Sequence, residues 1–235
     1  MKRIITSGGA YDGPDRTGDL NSFLAALGKE RKDKPKVTIL PTGKFDKYED
    51  RSEVAAFIER GCEADALLLS KYEAGDPYIK ETILSSDIIY ATSGNLMNIM
   101  REFKRTGADV FLKQAYENGT VLFGSSSGAM CWYQYGYDDC GPDGSLMFVE
   151  GLGLIPYSFC PHYDSDFWKA YAGACKTLPV SGIAAENGCA VTYFDGVFGF
   201  YKECPTANAH FFDKDAAYAM QTLDDAASVL NAKKK

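Results

Sequence analysis

Thr120-Val121-Leu122-Phe123-Gly124-Ser125-Ser126-Ser127-Gly128-Ala129-Met130 decides how this chain is read. Four apolar-leaning residues form a strand, small residues make a tight turn, and a helical stretch through Met130 and Trp132 follows. A strand–turn–helix built on G-x-S-x-G holds its central serine in a strained conformation, with the hydroxyl exposed at the edge of a sheet. Glycines and small side chains let the chain double back without clashes. In this geometry the Ser127 N–H points from a helix N-terminus toward the place where an oxyanion forms. The bare string is common in turns, so its weight comes from the strand before it and the helix after it.

Working outward, apolar β-branched runs alternate with helical patterns. Ile4-Ile5, Val37–Leu40, Ala66–Leu69, Asp87–Tyr90 and Thr120–Phe123 read as strands, near-continuously apolar as parallel strands covered on both faces are. One helix is expected from Asp50, with Glu53 completing a capping box, Val54, Phe57 and Ile58 on one face, and a stop at Gly61. Another begins near Asn95 and aligns Leu96, Ile99, Met100 and Phe103. After residue 190 the texture changes. Cys189–Phe194, an Asp195-Gly196 turn and Val197–Lys202 read as a β-hairpin, and a last helix is expected after Thr222, opening on Asp224 and Asp225. The βαβ alternation predicts an α/β three-layer sandwich with a mostly parallel central sheet and a late antiparallel hairpin, in a single domain over 1–235.

Bulk properties narrow the partners. A net charge of −7 speaks against a nucleic-acid surface, and the one basic run, Lys233-Lys234-Lys235, reads as a solvated helix end. The start, Met1–Gly9, has too short an apolar stretch for a signal peptide, and no window is apolar enough to span a membrane. Seven cysteines without a C-x-x-C pair fit reduced, buried thiols in a cytoplasmic protein. No metal site is expected.

A serine hydroxyl is a poor nucleophile without a base, and the chain has only two histidines. His162 follows Pro161 at the end of a short apolar strand, a position that delivers side chains to the mouth of an α/β sheet. His210 lies before Phe211 and Phe212, a setting that suggests packing. The imidazole needs an acid to orient it. Glu186, which interrupts the small apolar segment Gly182–Ala185 and Asn187-Gly188, is the first candidate; Asp164, Asp138 and Asp139 are its rivals.

Taken together, these residues resemble the peptidase S51 family, which includes peptidase E (aspartyl dipeptidase) and cyanophycinase. The elbow Gly124–Ala129 resembles the family's G-x-S-A-G-A, with Ser127 where alanine is usual. Gly151–Pro156 through Pro161-His162-Tyr163-Asp164 resembles the segment with the catalytic histidine, and Gly182–Asn187 the one with its glutamate. Thr92-Ser93-Gly94-Asn95 resembles a G-G-N loop whose glycine N–H completes the oxyanion hole, with Ser93 replacing the first glycine and Leu96 a threonine of peptidase E. The resemblance implies a class I glutamine amidotransferase-like fold and a serine peptidase in which Ser126, His162 and Glu186 form the triad. Gly94, Asn95 and Ser127 would then bind the oxyanion or substrate. It implies small peptides as substrates, aspartyl dipeptides or related isopeptides among them. No cofactor or metal is implied, nor any nucleic-acid or membrane partner, and the chain is expected to act as a monomer or homodimer. Two other readings compete: an α/β-hydrolase esterase, whose motif order would make His210 the base, and an amidotransferase-like binding protein without turnover.

Overall fold

In a computed structural model, which describes residues 1–223, the first half forms five parallel strands, four of them on the expected apolar runs. These are β1 (Arg3–Ser7), β2 (Lys36–Leu40), β3 (Glu63–Ala66), β4 (Ile88–Ala91) and β5 (Val121–Ser125). They are followed by β6 (Tyr133–Asp138), β7 (Met147–Glu150), β8 (Ile155–Cys160) and β9 (Gly182–Ala185). Then come β10 (Cys189–Phe194), β11 (Val197–Lys202), β12 (Ala209–Asp213) and β13 (Ala219–Thr222). The helices are α1 (Leu20–Lys29), α2 (Ser52–Glu59), α3 (Pro77–Leu84), α4 (Leu96–Thr106), α5 (Ala108–Glu117), and the one-turn α6 (Ser127–Met130) and α7 (Tyr171–Ala174).

The first sheet has seven strands in the order β11-β10-β1-β5-β4-β2-β3. Its five early strands are mutually parallel, and the β10–β11 hairpin joins antiparallel along β1. The hairpin turns at Asp195 and Gly196, both at positive φ, as a tight Asp-Gly turn requires. A second sheet of six strands, β13-β12-β9-β8-β6-β7, is the part the sequence did not announce. In it β6, β8 and β9 run parallel, and β7, β12 and β13 pair antiparallel.

Alternation along the strands sorts the core into two faces. Ile5, Val121 and Phe123 pack with Leu20, Leu24 and Phe57 under α1 and α2. Ile4 and Leu122 pack with Ile99, Phe103, Trp132 and Phe159, between the first sheet, α4 and the second sheet. Tyr133 and Phe159 stack at 4.6 Å, and the Tyr133 hydroxyl meets Thr6 Oγ1 at 2.9 Å, tying the two sheets together. The chain leaves β1 toward the α1 face and leaves β5 toward the opposite face. Adjacent strands with divergent exits open a crevice at their C-terminal ends, where α/β sheets hold their ligands.

Three local expectations differ. The apolar run Ala66–Leu69 is not a strand: the edge strand is the polar Glu63–Ala66, Leu67 buries just after it, and Leu69 buries at the start of a 3-10 turn. At α2, Arg51 is the N-cap in the left-handed region without a side-chain cap bond, and Glu53 pairs with Lys44 at 3.1 Å instead of closing a capping box. Ile58 is 55% exposed, so only Val54 and Phe57 of the expected stripe reach the core. The helix expected after Thr222, with Asp224 and Asp225, lies outside the described residues. Among the described residues no helix is long and apolar enough to cross a membrane.

Candidate active site

Ser126 stands between β5 and α6 with φ 53° and ψ −121°, a conformation that costs a non-glycine residue about 1–3 kcal/mol. The surrounding chain imposes it. The Ser126 N–H donates to Ser7 O on β1 at 3.1 Å. A Cβ on Gly124 would lie 2.1 Å from Gly128 O, and one on Gly128 would lie 2.0 Å from Ala91 O. Both motif glycines are therefore required by backbone packed on backbone, which brings α6 against β4 and β5.

His162 arrives from the other sheet. β8 ends at Cys160, and after Pro161 the His162 N–H donates to Gly8 O at 2.9 Å, pinning the residue over the loop that leaves β1. Its φ of 52° is also left-handed, so two strained residues face each other across the crevice. His162 Nε2 lies 2.8 Å from Ser126 Oγ. The Trp168 ring covers the imidazole, centroids 5.6 Å apart.

On the far side of the imidazole the structure places a residue other than the Glu186 expected from sequence. His162 Nδ1 lies 2.7 Å from Asn187 Oδ1. Asn187 in turn donates its backbone N–H to Asp164 Oδ1 at 2.9 Å and its Nδ2 to Asp164 Oδ2 at 3.1 Å. A carboxylate only accepts, so these bonds fix which end of the Asn187 amide is the carbonyl. That carbonyl needs a proton from Nδ1, which leaves the Nε2 lone pair facing the Ser126 O–H. Gly9 makes room for the pair: a Cβ there would lie 1.8 Å from Asn187 Oδ1 and 2.7 Å from His162 Nδ1.

Glu186, adjacent in sequence, points elsewhere. Its Oε1 meets His210 Nε2 at 2.9 Å and its Oε2 accepts the Asn208 N–H at 2.8 Å. Consecutive residues at a strand end project to opposite sides, so β9 hands Asn187 to the crevice and Glu186 to β12. The structure thus brings Ser126 and His162 together and does not bring Glu186 to them. His210, which an esterase reading would place against Ser126, is held by Glu186 and packs 5.2 Å from the Tyr163 ring. Asn187 was missed; its signal was an amide beside Gly188 in a tight turn, easily passed over next to a carboxylate.

The loop expected to bind the oxyanion follows β4. Gly94 has φ 138°, and a Cβ on it would lie 2.1 Å from Gly43 O. Asn95 caps α4, its Oδ1 accepting the Asn98 N–H at 2.8 Å, and its own N–H donates to Gly43 O at 2.9 Å. Asn95 therefore shapes the loop. The Ser127 hydroxyl contacts Gly94 O at 2.7 Å and Asp138 Oδ1 at 3.1 Å, crossing from the elbow to the loop. Asp138, considered above as an orienting acid, is buried behind this turn, away from His162. Burial pushes its carboxyl above the ordinary carboxylate range, and the Asp139 charge adds to the rise. Beside Ser125 a polar cavity of about 220 Å³ opens between Ser7, Tyr11, Arg16, Tyr90 and Glu203. Arg16 and Glu203 pair in its wall at 2.5 Å.

Comparison with known proteins supplies what geometry alone does not. The sequence model of Peptidase family S51 matches residues 3–199. The uncharacterized peptidase YgaJ of Bacillus subtilis (strain 168) is 33% identical over 202 residues, 83% of this chain and 84% of that one. The uncharacterized peptidase Lmo0363 of Listeria monocytogenes (serovar 1/2a, strain EGD-e) is 27% identical over 62% of this chain and 78% of its own. Among solved structures, a peptidase from an acI-B1 Actinobacterium superposes with a TM-score of 0.73 at 18% identity, covering 94% of this chain and 93% of that one. A putative peptidase E protein from Listeria monocytogenes EGD-e gives 0.62 at 19%, covering 86% and 98%. These two share the fold, an α/β arrangement of the glutamine amidotransferase-like kind.

Proposed function

The chain belongs to peptidase family S51 and is a serine-type peptidase, and from that premise we propose that Ser126 is its nucleophile, His162 its base and Asn187, backed by Asp164, the group that orients the base. One observation carries the reading: His162 Nε2 lies 2.8 Å from Ser126 Oγ while Nδ1 is engaged by an acceptor. Ser126 Oγ attacks the peptide carbonyl as its proton passes to Nε2. The C–N bond then breaks, the amine leaves with that proton, and water hydrolyses the acyl-enzyme by the same route. The N–H groups of Gly94 and Ser127 bind the oxyanion, each worth about 3 kcal/mol.

Substrates on this reading are small peptides, aspartyl dipeptides or related isopeptides among them. The small polar cavity beside Ser125, with the Arg16–Glu203 pair in its wall, supports a short substrate over a folded one. Seven cysteines, six of them buried and scattered without a C-x-x-C pair, support work in a reducing compartment such as the cytoplasm. The test is a fluorophosphonate label together with a dipeptide panel holding α- and β-aspartyl members. Adduct on Ser126, and turnover lost in Ser126→Ala and His162→Ala but kept in His210→Ala, is expected. Adduct on Ser125 or Ser127, or turnover that survives Ser126→Ala, would sink the assignment.

A further inference from the structure

We propose that the cavity beside Ser125 is a substrate subsite in which the free oxygen of Glu203, Oε2, receives a positively charged amine, either the α-ammonium of a peptide's first residue or a lysine side chain. The proposal rests on the reading of Ser126 as nucleophile and adds to it the group that selects the substrate. The cavity joins the catalytic pair through its wall. Ser7 and Ser125 both line it, and Ser7 O accepts the Ser126 N–H at 3.1 Å. The chain that continues from Ser7 meets His162, which donates its N–H to Gly8 O at 2.9 Å, and then supplies Ala10, Tyr11 and Arg16 to the same cavity. A peptide held over Ser126 therefore has this space within reach of a residue beside its scissile bond.

Within the lining, Glu203 is the group whose bonding is unfinished. Its side chain is 7% exposed. Oε1 accepts from Arg16 Nη2 at 2.5 Å and from the Leu20 N–H, at the start of α1, at 2.9 Å. Oε2 has no hydrogen-bond partner among the described residues, yet it is not sealed from solvent. A buried carboxylate oxygen without a partner is costly, and an ammonium is a strong donor to fill it. Arg16 does not make the mirror-image site for an anion: its side chain is 41% exposed, so water completes its donors, and its Nε already donates to Gly18 O at 2.9 Å. The surrounding charge has the sign of the carboxylate. Between β1 and α1 the loop carries Asp12, Asp15 and Asp19 against Arg16 alone. Arg60 meets Asp19 at 2.7 Å, which leaves Asp12 and Asp15 without a basic partner among the described residues. The loop is also fastened to the end of β11, by the Thr17 N–H on Glu203 O at 2.9 Å and the Asp19 N–H on Tyr201 Oη at 2.9 Å. The carboxylate thus stands in a preformed wall, as a small-ligand site requires.

The test measures peptide binding by calorimetry on Ser126→Ala, which holds substrates uncleaved. Aspartyl-lysine is compared with aspartyl-norleucine, which lacks the side-chain ammonium, and aspartyl-norleucine with its N-acetyl derivative, which lacks the α-ammonium. At least one comparison is expected to give the charged member a Kd about 10- to 100-fold lower, the size of a hydrogen bond to a charged group. The comparison that shows the difference names the source of the amine. Adding Glu203→Gln keeps an acceptor for Arg16 and the Leu20 N–H but removes the charge, and is expected to bring the ratio within about threefold. A merely structural carboxylate would weaken both members alike and leave the ratio where it was. Should the Glu203 variant unfold, Asn21 in the same wall is changed instead. Asn21→Asp, favourable in the first turn of α1, is expected to widen the ratio severalfold, and Asn21→Lys to abolish it. The proposal is overturned if neither comparison shows a preference, if the preference survives Glu203→Gln, or if the two Asn21 variants show the same ratio. Hydrolysis that persists in Ser126→Ala would instead remove the underlying reading of the nucleophile.

Discussion

His162 Nδ1 faces Asn187 Oδ1 at 2.7 Å, so the imidazole is oriented by a neutral amide, with the nearest carboxylate, Asp164, one hydrogen bond further out. An amide fixes the tautomer as well as a carboxylate does but supplies less field to the imidazolium that forms during attack.

Two substitutions separate orientation from charge. Asn187→Ala should lower kcat about 100- to 1,000-fold with KM within a few-fold, because it frees the ring and its tautomer. Asp164→Asn keeps a polar group but has an amide where two donors now bond, and should cost about tenfold. Steady-state kinetics on the best dipeptide of the panel decides this. An Asp164→Asn loss as large as that of Asn187→Ala would mean that charge dominates over orientation.

Glu186 behaves differently. Its carboxylate joins β9 to β12 through His210 and the Asn208 N–H, and the buried His210 Nδ1 has no hydrogen-bond partner among the described residues. Glu186→Gln should therefore cost stability, about 1–2 kcal/mol for a disturbed, part-buried bond, and leave kcat within severalfold. Urea unfolding and kinetics on the same preparation read the two effects. A large loss of kcat at unchanged stability would restore Glu186 to the catalytic centre.

The elbow was legible because its constraints are local: Gly124, Ser126 and Gly128 are within five positions, and backbone crowding explains each glycine. The parallel strands were legible from continuous apolar runs, except where Leu67 and Leu69 reached the core from beyond β3. The second sheet was not legible. Tyr133–Asp138 alternates tyrosines with polar residues and glycine, and its partners β8 and β9 are brought to it only by the folded chain. The choice between Glu186 and Asn187 turned on which way one peptide faces at the end of β9. Neighbours in sequence share a composition and differ in direction, so spacing could not separate them. The Asp138–Ser127 bond joins two elements across the active-site turn, and nothing in either segment alone announces it.

The strain at Ser126 predicts a stabilised but inactive variant. Glycine takes φ 53°, ψ −121° without the Cβ clash that serine bears. Relief of about 1–3 kcal/mol, less roughly 0.5–1 kcal/mol for the added freedom of an unfolded glycine, leaves Ser126→Gly more stable by about 1 kcal/mol. Ser126→Ala keeps the Cβ and should melt within a few degrees of wild type. Thermal unfolding of the two variants side by side checks the ordering. An equal or lower melting temperature for Ser126→Gly would show that the turn carries no such strain.

The buried carboxyl of Asp138 also gives stability a pH dependence of definite sign. In the unfolded chain an aspartate loses its proton near about pH 3.9, whereas burial raises the value in the folded protein. Between those two values the folded state holds a proton that the unfolded state has lost. Stability from this group is then fully present below the unfolded pKa and is lost as pH rises through the folded one. Asp138→Asn has no proton to lose and should lack this slope. The free-energy difference between wild type and Asp138→Asn, taken from urea unfolding at a series of pH values, should therefore favour wild type most in acid and shrink as pH rises. A difference that grows with pH would mean that the Leu96 N–H and the α4 terminus outweigh burial and hold Asp138 ionised, reversing the sign.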